Sequence, residues 1–432
     1  ATTGRAGTNA KQIGLGSSVA SITTNITENG GTSNTNRALD IAINGESFLI
    51  VNNGTENLFT KSGALNVDEA GNLYCTTNGC VVMGWMADTD GNIDRSTVKQ
   101  LQVMTEDKQT AAPTATSDIT LSGNIEPNDK NLTPTTEADG SISGGITQTF
   151  SFYDNLGELY TVKLRTTKDD PQTNASTVTY STRVEDVLDA NGNSIFVQKN
   201  TDQTTGKVTY TATGAQISFG TASGGVSAAG VNVDTGEFTL DPSLKTALSF
   251  NSATGAFANV GATRQNAEYN GKAVNFSIIQ KDTTHVGSDS TFPQYDATKD
   301  SGGVEISFDS LTQYTKSGTS DTSYVKGRDG KGAGNYTGAM NGISIDDSGV
   351  VYANYTNGET KVLAQIAVAS FSNPSGLEAA GDSLFRASLN SGEFDGVGQE
   401  VTSDGGSFTV GALEMSNVDL ANEFTQMITT QR

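Results

Sequence analysis

Three stretches of the chain alternate apolar and polar residues with a period of two, the pattern of strands that bury one face. In 38–53 (ALDIAINGESFLIVNN), Leu39, Ile41 and Ile43 share a face before a turn at Asn44-Gly45. In 64–86, Leu65 and Val67 precede a turn at Ala70-Gly71, a strand through Tyr74, a turn at Asn78-Gly79 and a strand through Val82. In 341–371, Ile343 and Ile345 lead to a turn at Ser348-Gly349, then Val351, a turn at Asn357-Gly358, and a run from Val362 to Val368. Asn-Gly and similar pairs accept the positive φ angles of tight hairpins, so these are meanders and not βαβ units. A further β-rich block covers 146–167, 207–220, 230–240 and 273–280. The turn phrases EAGNL, TDGNI, ANGNS, DTGEF and DDSGV recur without a fixed spacing, which is hairpin chemistry and not a solenoid repeat.

Two polar stretches without periodicity, 106–118 and 314–338, interrupt this pattern. The simplest layout is mainly β, with one β domain inserted into another. Residues 1–121 and 325–415 would build a discontinuous inner domain, and 122–324 an inserted outer one, as one or two subdomains. The connectors 106–121 and 314–338 would then serve as a hinge.

Only the C-terminus shows a helical period. Wound at 100° per residue, Leu420, Ala421, Phe424, Met427 and Ile428 fall in one stripe about 120° wide. Asn422, Gln426 and Thr429 lie opposite. Ser416 and Asn417 are good N-cap residues, and Asp419 follows three after Ser416. No Gly, Asn or Pro closes the helix, and the chain opens on Ala1 without a targeting segment. The expectation is a trimmed piece of a longer protein, cut through a helix that needs a partner.

Composition narrows the function. At 432 residues, with 49 Gly and 34% hydrophobic residues, the chain suits short strands joined by many turns. A formal charge of −22 and the lack of a basic stripe disfavour nucleic acid. No run of 18 apolar residues is present to span a membrane. One histidine, His285, and two cysteines, Cys75 and Cys80, leave a catalytic site to be made from carboxylates alone. His285 sits in a polar stretch and reads as a surface residue, and Trp85 reads as core. Gly14 and Gly16 in QIGLGSS lack the rest of a phosphate-loop pattern. Asp88, Asp90, Asn92 and Asp94 resemble a calcium loop, but Gly91 is fourth and Lys99 stands twelfth, so a plain turn is the better reading. For the cysteines two loops are open. If Thr76 to Gly79 form a four-residue loop, Cys75 and Cys80 face one another and a disulfide is feasible; if Asn78-Gly79 form a two-residue turn, Thr77 faces Cys80 instead. No cofactor or metal is expected.

Several phrases are similar to the bacterial flagellar hook proteins. They are AKQIGLGSSVASITTNITENGGTSNTNRALDIAINGESFLIV (10–51), LFTKSGALNVDEAGNLYCTTNGCVVMGW (58–85), FYDNLGELYTVKL (152–164), SFDSLTQY (307–314), the stretch 342–393 and GALEMSNVDLANEFTQMITTQR (411–432). The SNVDL phrase is shared more loosely with rod proteins of the same axis, while AQIAVASFSNPSGLEAAGD points to the hook. The resemblance implies terminal helices in an inner coiled-coil tube, a β domain outside it and an outer β domain inserted in that one. It implies a structural subunit and no enzyme, polymerising with itself into a curved flexible tube that carries motor torque as a universal joint. Its implied partners are other copies and the distal rod, hook–filament junction and hook cap proteins. Its implied place is the extracellular hook, reached without a cleaved signal peptide through the flagellar export apparatus. Two departures stand out: Glu46-Ser47-Phe48-Leu49 where relatives show Gly-Phe-Phe, and the cysteine pair. The other readings are a distal-rod-type axial protein, a secreted β-rich adhesin or surface-layer module, and a carboxylate glycosidase.

Overall fold

A computed structural model describes residues 30–137, 142–170, 172, 176–220, 225–261, 266–282, 292, 295–296, 301–316, 318–416 and 420–431. His285, Gly14, Gly16 and residues 10–29 of the first family phrase lie outside them. The structure is mainly β, and its one α-helix among the described residues is α1, Leu420–Gln431. Two compact units share the chain. The first takes Ala1–Gln109, Asn341–Asn354 and Thr360–Arg432; the second takes Thr110–Met340 and Tyr355–Glu359.

In the first unit, strand Phe48–Asn52 pairs antiparallel with Asn57–Thr60 and with Val81–Met86, and the latter pairs with Thr360–Ile366. Phe48, Leu49, Ile50 and Val51 are all fully buried, so both faces of this strand are covered and the alternation is lost. Trp85 lies in the core, with Phe48, Ile50, Phe59, Met83 and Phe371. Phe59 and Phe371 meet edge to face, with centroids 4.7 Å apart. Gly84 is required by close approach: a β-carbon there would lie 2.2 Å from the Gln365 carbonyl oxygen. The Glu46-Ser47 departure has a local reason at Ser47. It is buried, and its hydroxyl donates to Asp404 Oδ2 at 2.6 Å.

The second unit is a sandwich. A five-stranded antiparallel sheet runs Ile146–Tyr153, Leu159–Lys168, Thr177–Leu188, Lys245–Asn251 and Phe257–Val260. A six-stranded sheet carries Gln216–Phe219, Ala273–Gln280, Val304–Thr312, Asp118–Asn124 and Asp321–Lys326 in that order, beyond a short edge strand Val226–Ser227. In Leu159–Lys168 the residues Tyr160, Val162, Leu164 and Thr166 point inward, as the period of two demands. Phe150 and Phe152 of one sheet meet Phe276 of the other at 6.2 and 5.7 Å. A single core spans the block from Ile119 to Leu311.

Both polar stretches expected as connectors contribute strands to this unit. Asp118–Asn124 pairs parallel with Val304–Thr312 and antiparallel with Asp321–Lys326. Residues 314–320 are tied down as well: Glu126 accepts the Lys316 N–H and Asp129 the Ser320 N–H. The expectation that these stretches are irregular connectors is therefore corrected, because most of that chain is held by ladders and buried carboxylates. Another correction concerns 230–240, expected as strand. It is a loop around Asn232–Glu237, anchored by Phe238 and Leu240 against the core.

The recurring turn phrases resolve into two loop types. In five hairpins an Asp opens the loop and its Oδ1 accepts the N–H four residues on, at 2.8–2.9 Å: Asp68, Asp88, Asp154, Asp189 and Asp346. The residue three after each Asp is a Gly with φ of 82–83°, a left-handed conformation that glycine adopts without strain. The phrase DTGEF belongs to the second type, a four-residue loop closed by Asn232 and Glu237.

Candidate self-assembly face and cysteine hairpin

Helix α1 has a sequence without Gly or Pro and a stripe at helical spacing, yet the large side chains of that stripe among the described residues stay exposed. Ala421 through Thr429 are all exposed. Phe424, Met427 and Ile428 stand 59%, 57% and 66% exposed. The side chain of Leu420 lies outside the described residues, as do Asn417 and Asp419 of the expected cap. Polar residues bond locally instead: Thr425 Oγ1 donates to the Ala421 carbonyl at 2.7 Å. Covering three such side chains would stabilise an assembly by roughly 3–5 kcal/mol per helix, from about 1.5–3 kcal/mol for full burial of each and their present partial cover.

The strand leading into this helix, Ala412–Glu414, pairs antiparallel with Thr32–Asn34. The Gly30 N–H donates to Glu414 Oε1 at 2.8 Å. The first and last strands of the described chain therefore lie side by side, which sequence reasoning missed. No local signal could have shown it, since the partners stand nearly four hundred residues apart.

Cys75 and Cys80 occupy the four-residue loop of the two alternatives. The Cys75 N–H donates to the Cys80 carbonyl at 2.9 Å, and the Gly79 N–H to the Cys75 carbonyl at 2.8 Å. Tyr74 pairs with Val81, which fixes the register. Both thiols are buried and unbonded to one another. Burial, and then the neighbouring Cys75, push the Cys80 thiol up from its ordinary range.

Several acidic residues brace loops of the fold. Asp88 Oδ1 accepts the N–H groups of Asp90 and Asn92, and hydrogen bonding, chiefly from the Asn92 N–H, holds its carboxyl below the usual range. Burial pushes the Asp129 carboxyl up, but the N–H groups of Ser320 and Asn131 outweigh it and leave it lowered. Burial raises the Tyr160 phenol to about 12, and its hydroxyl donates to Glu158 at 2.9 Å. Among the described residues no group of three or more His, Cys, Asp or Glu could hold a metal ion, and no helix is long and apolar enough to cross a membrane.

The described residues thus form a β-rich body followed by one helix whose Phe424, Met427 and Ile428 stand exposed. Residues 409–432 match the family model described as "Flagellar basal body rod FlgEFG protein C-terminal". The flagellar hook protein FlgE of Borreliella burgdorferi is 30% identical over 441 residues, covering all of this chain and 82% of that protein. FlgE of Treponema pallidum is 28% identical, over 99% of this chain and 82% of its own. The crystal structure of Helicobacter pylori flagellar hook protein FlgE2 aligns with 89% of this chain and all of its own, at 12% identity and a TM-score of 0.48. The chain belongs to the flagellar hook protein family and is a structural subunit of the bacterial flagellar hook.

Proposed function

We propose that copies of this chain associate through the α1 stripe Leu420, Ala421, Phe424, Met427 and Ile428 and build a curved, flexible helical tube that carries motor torque. The exposure of Phe424, Met427 and Ile428 is the observation that supports the reading. A contact between unlike faces of identical subunits repeats without closing, which is how one chain makes a filament. Bending then requires the outer contacts of each subunit to exchange as it moves from the inside to the outside of the curve. The Thr-, Ser-, Asn- and Asp-rich surfaces suit that, because water-bridged polar contacts exchange at small cost. Distal rod, hook–filament junction and hook cap proteins are the proposed neighbours at the tube's ends. We place the assembled tube outside the cell, with export through the flagellar apparatus and no cleaved signal peptide.

Electron microscopy of assemblies formed by the natural chain and by a Phe424→Asp, Ile428→Asp variant tests the reading. Loss of the tube with a normally folded monomer is expected; an unchanged tube would overturn it.

A further inference from the structure

The hairpin from Leu73–Cys75 to Val81–Met86 places both cysteines of the chain at the two positions that close its loop. Three other loops have the same backbone. They begin at Asp202, Asn232 and Asn251, where the first N–H donates to the sixth carbonyl at 2.8–2.9 Å and the fifth N–H to the first carbonyl at 2.8 Å. In those loops the first side chain also braces the tip. Its Oδ1 accepts the N–H groups of the third and fourth residues.

Cys75 has no oxygen to offer. Its Sγ lies 3.0 Å from Thr77 Oγ1 and 3.4 Å from the Ser62 carbonyl, and Asn78 Oδ1 accepts the Cys80 N–H at 3.0 Å. The two cysteine side chains leave one face of the hairpin. Cys75 lies with buried Leu73 and Cys80 with buried Val82, while Tyr74 and Val81 take the other face. Cys75 and Cys80 follow the Tyr74–Val81 pair and share one backbone hydrogen bond, and opposed residues of an antiparallel pair have Cα atoms about 4.5–5.5 Å apart, inside the span a disulfide needs.

We propose that Cys75 and Cys80 are a redox pair that closes to an intrachain disulfide across this loop, replacing the brace that Asp or Asn gives the sister loops. A small disulfide serves as the oxidant. One cysteine thiolate attacks its S–S bond, forms a mixed disulfide and releases a thiolate. The second cysteine thiolate then attacks the protein sulfur of the mixed disulfide, forms the Cys75–Cys80 bond and releases the other thiolate. The protein pair loses two electrons and the oxidant gains them; the two protons of the cysteine thiols pass to the two released thiolates. Because both thiols are buried, the exchange is slow in the folded chain.

The test treats the natural chain with oxidised glutathione, unfolds it without reductant and adds N-ethylmaleimide. A peptide containing residues 75–80, lighter by two hydrogens and free of adduct, is expected, with two adducts appearing once a reductant is supplied. Two adducts without reductant, glutathione retained on both sulfurs, or chains linked to one another would overturn the proposal. The oxidised chain should also unfold several degrees higher than the reduced one. Cys75→Asp, which restores the sister-loop brace, should abolish that redox-dependent rise. A rise that persisted in the variant would count against the pairing; should the variant fail to fold, the alkylation result on the natural chain decides.

Discussion

Phe276 in the sandwich and Phe424 on α1 are the same residue in opposite circumstances. Phe276 is fully buried, with Phe150 and Phe152 from the facing sheet against its ring. Phe424 is more than half exposed. Two sheets packed face to face, about 10 Å apart, satisfy their apolar faces within one chain. A twelve-residue helix is marginal by itself in water, and its stripe is satisfied only by something outside the described chain. Folding and assembly thus draw on separate sets of apolar residues, which makes the contrast open to experiment.

Phe276→Ala should show the largest effect, a loss of about 3–5 kcal/mol of stability in chemical denaturation, since the emptied site is walled by rigid sheet. Gly84→Ala follows, at about 1–3 kcal/mol or more, because its new methyl meets the Gln365 backbone and not a side chain that could turn away. Asp129→Ala should cost about 1–3 kcal/mol by stripping the N–H groups of Asn131 and Ser320 of their acceptor, with faster proteolytic cleavage near 314–320 as the local readout. Phe424→Ala should move monomer stability by less than about 0.5 kcal/mol while weakening assembly. A Phe424 variant as destabilised as the Phe276 one would dissolve the contrast.

The smallest effects concern pH, and two copies of one loop should disagree. Hydrogen bonds, first from the Asn72 side chain, hold the Asp68 carboxyl below its ordinary value of 3.8. Its contribution is present above the unfolded value and is lost as pH falls through the folded one. Burial raises the Asp154 carboxyl above 3.8, against the N–H groups of Glu158 and Leu156. Its burden is present at neutral pH and is relieved as pH falls through the raised value. Stability measured from about pH 6 to pH 3 should therefore fall less steeply in Asp68→Asn and more steeply in Asp154→Asn than in the natural chain. Matching slopes would show that burial does not separate the two loops.

Much of this was legible from residue order because the signals were local. The period of two marked Ile41, Ile43, Leu65 and Val351, and the Gly-bearing phrases marked the hairpins. The stripe on α1 followed from spacing at Ala421, Phe424, Met427 and Ile428. Asp321–Lys326 was missed because an edge strand with small polar residues on its outer side, among them Ser323 and Asp321, reads as loop. Asp118–Asn124 was missed because its parallel partner, Val304–Thr312, is some 180 residues away.

The sequence by itself determined many of the strands, the turns that join them, and that the last helix would be two-sided. Those properties depend on torsion preferences and side-chain periods within a few residues. Tertiary structure alone decided that the Phe48–Asn52 strand is covered on both faces and that Thr32–Asn34 lies beside Ala412–Glu414. It also decided that the two cysteines stand opposed and that Phe424, Met427 and Ile428 of α1 stay exposed. Each of these depends on which distant surfaces meet, and a linear pattern carries no record of the neighbour that takes, or fails to take, a face.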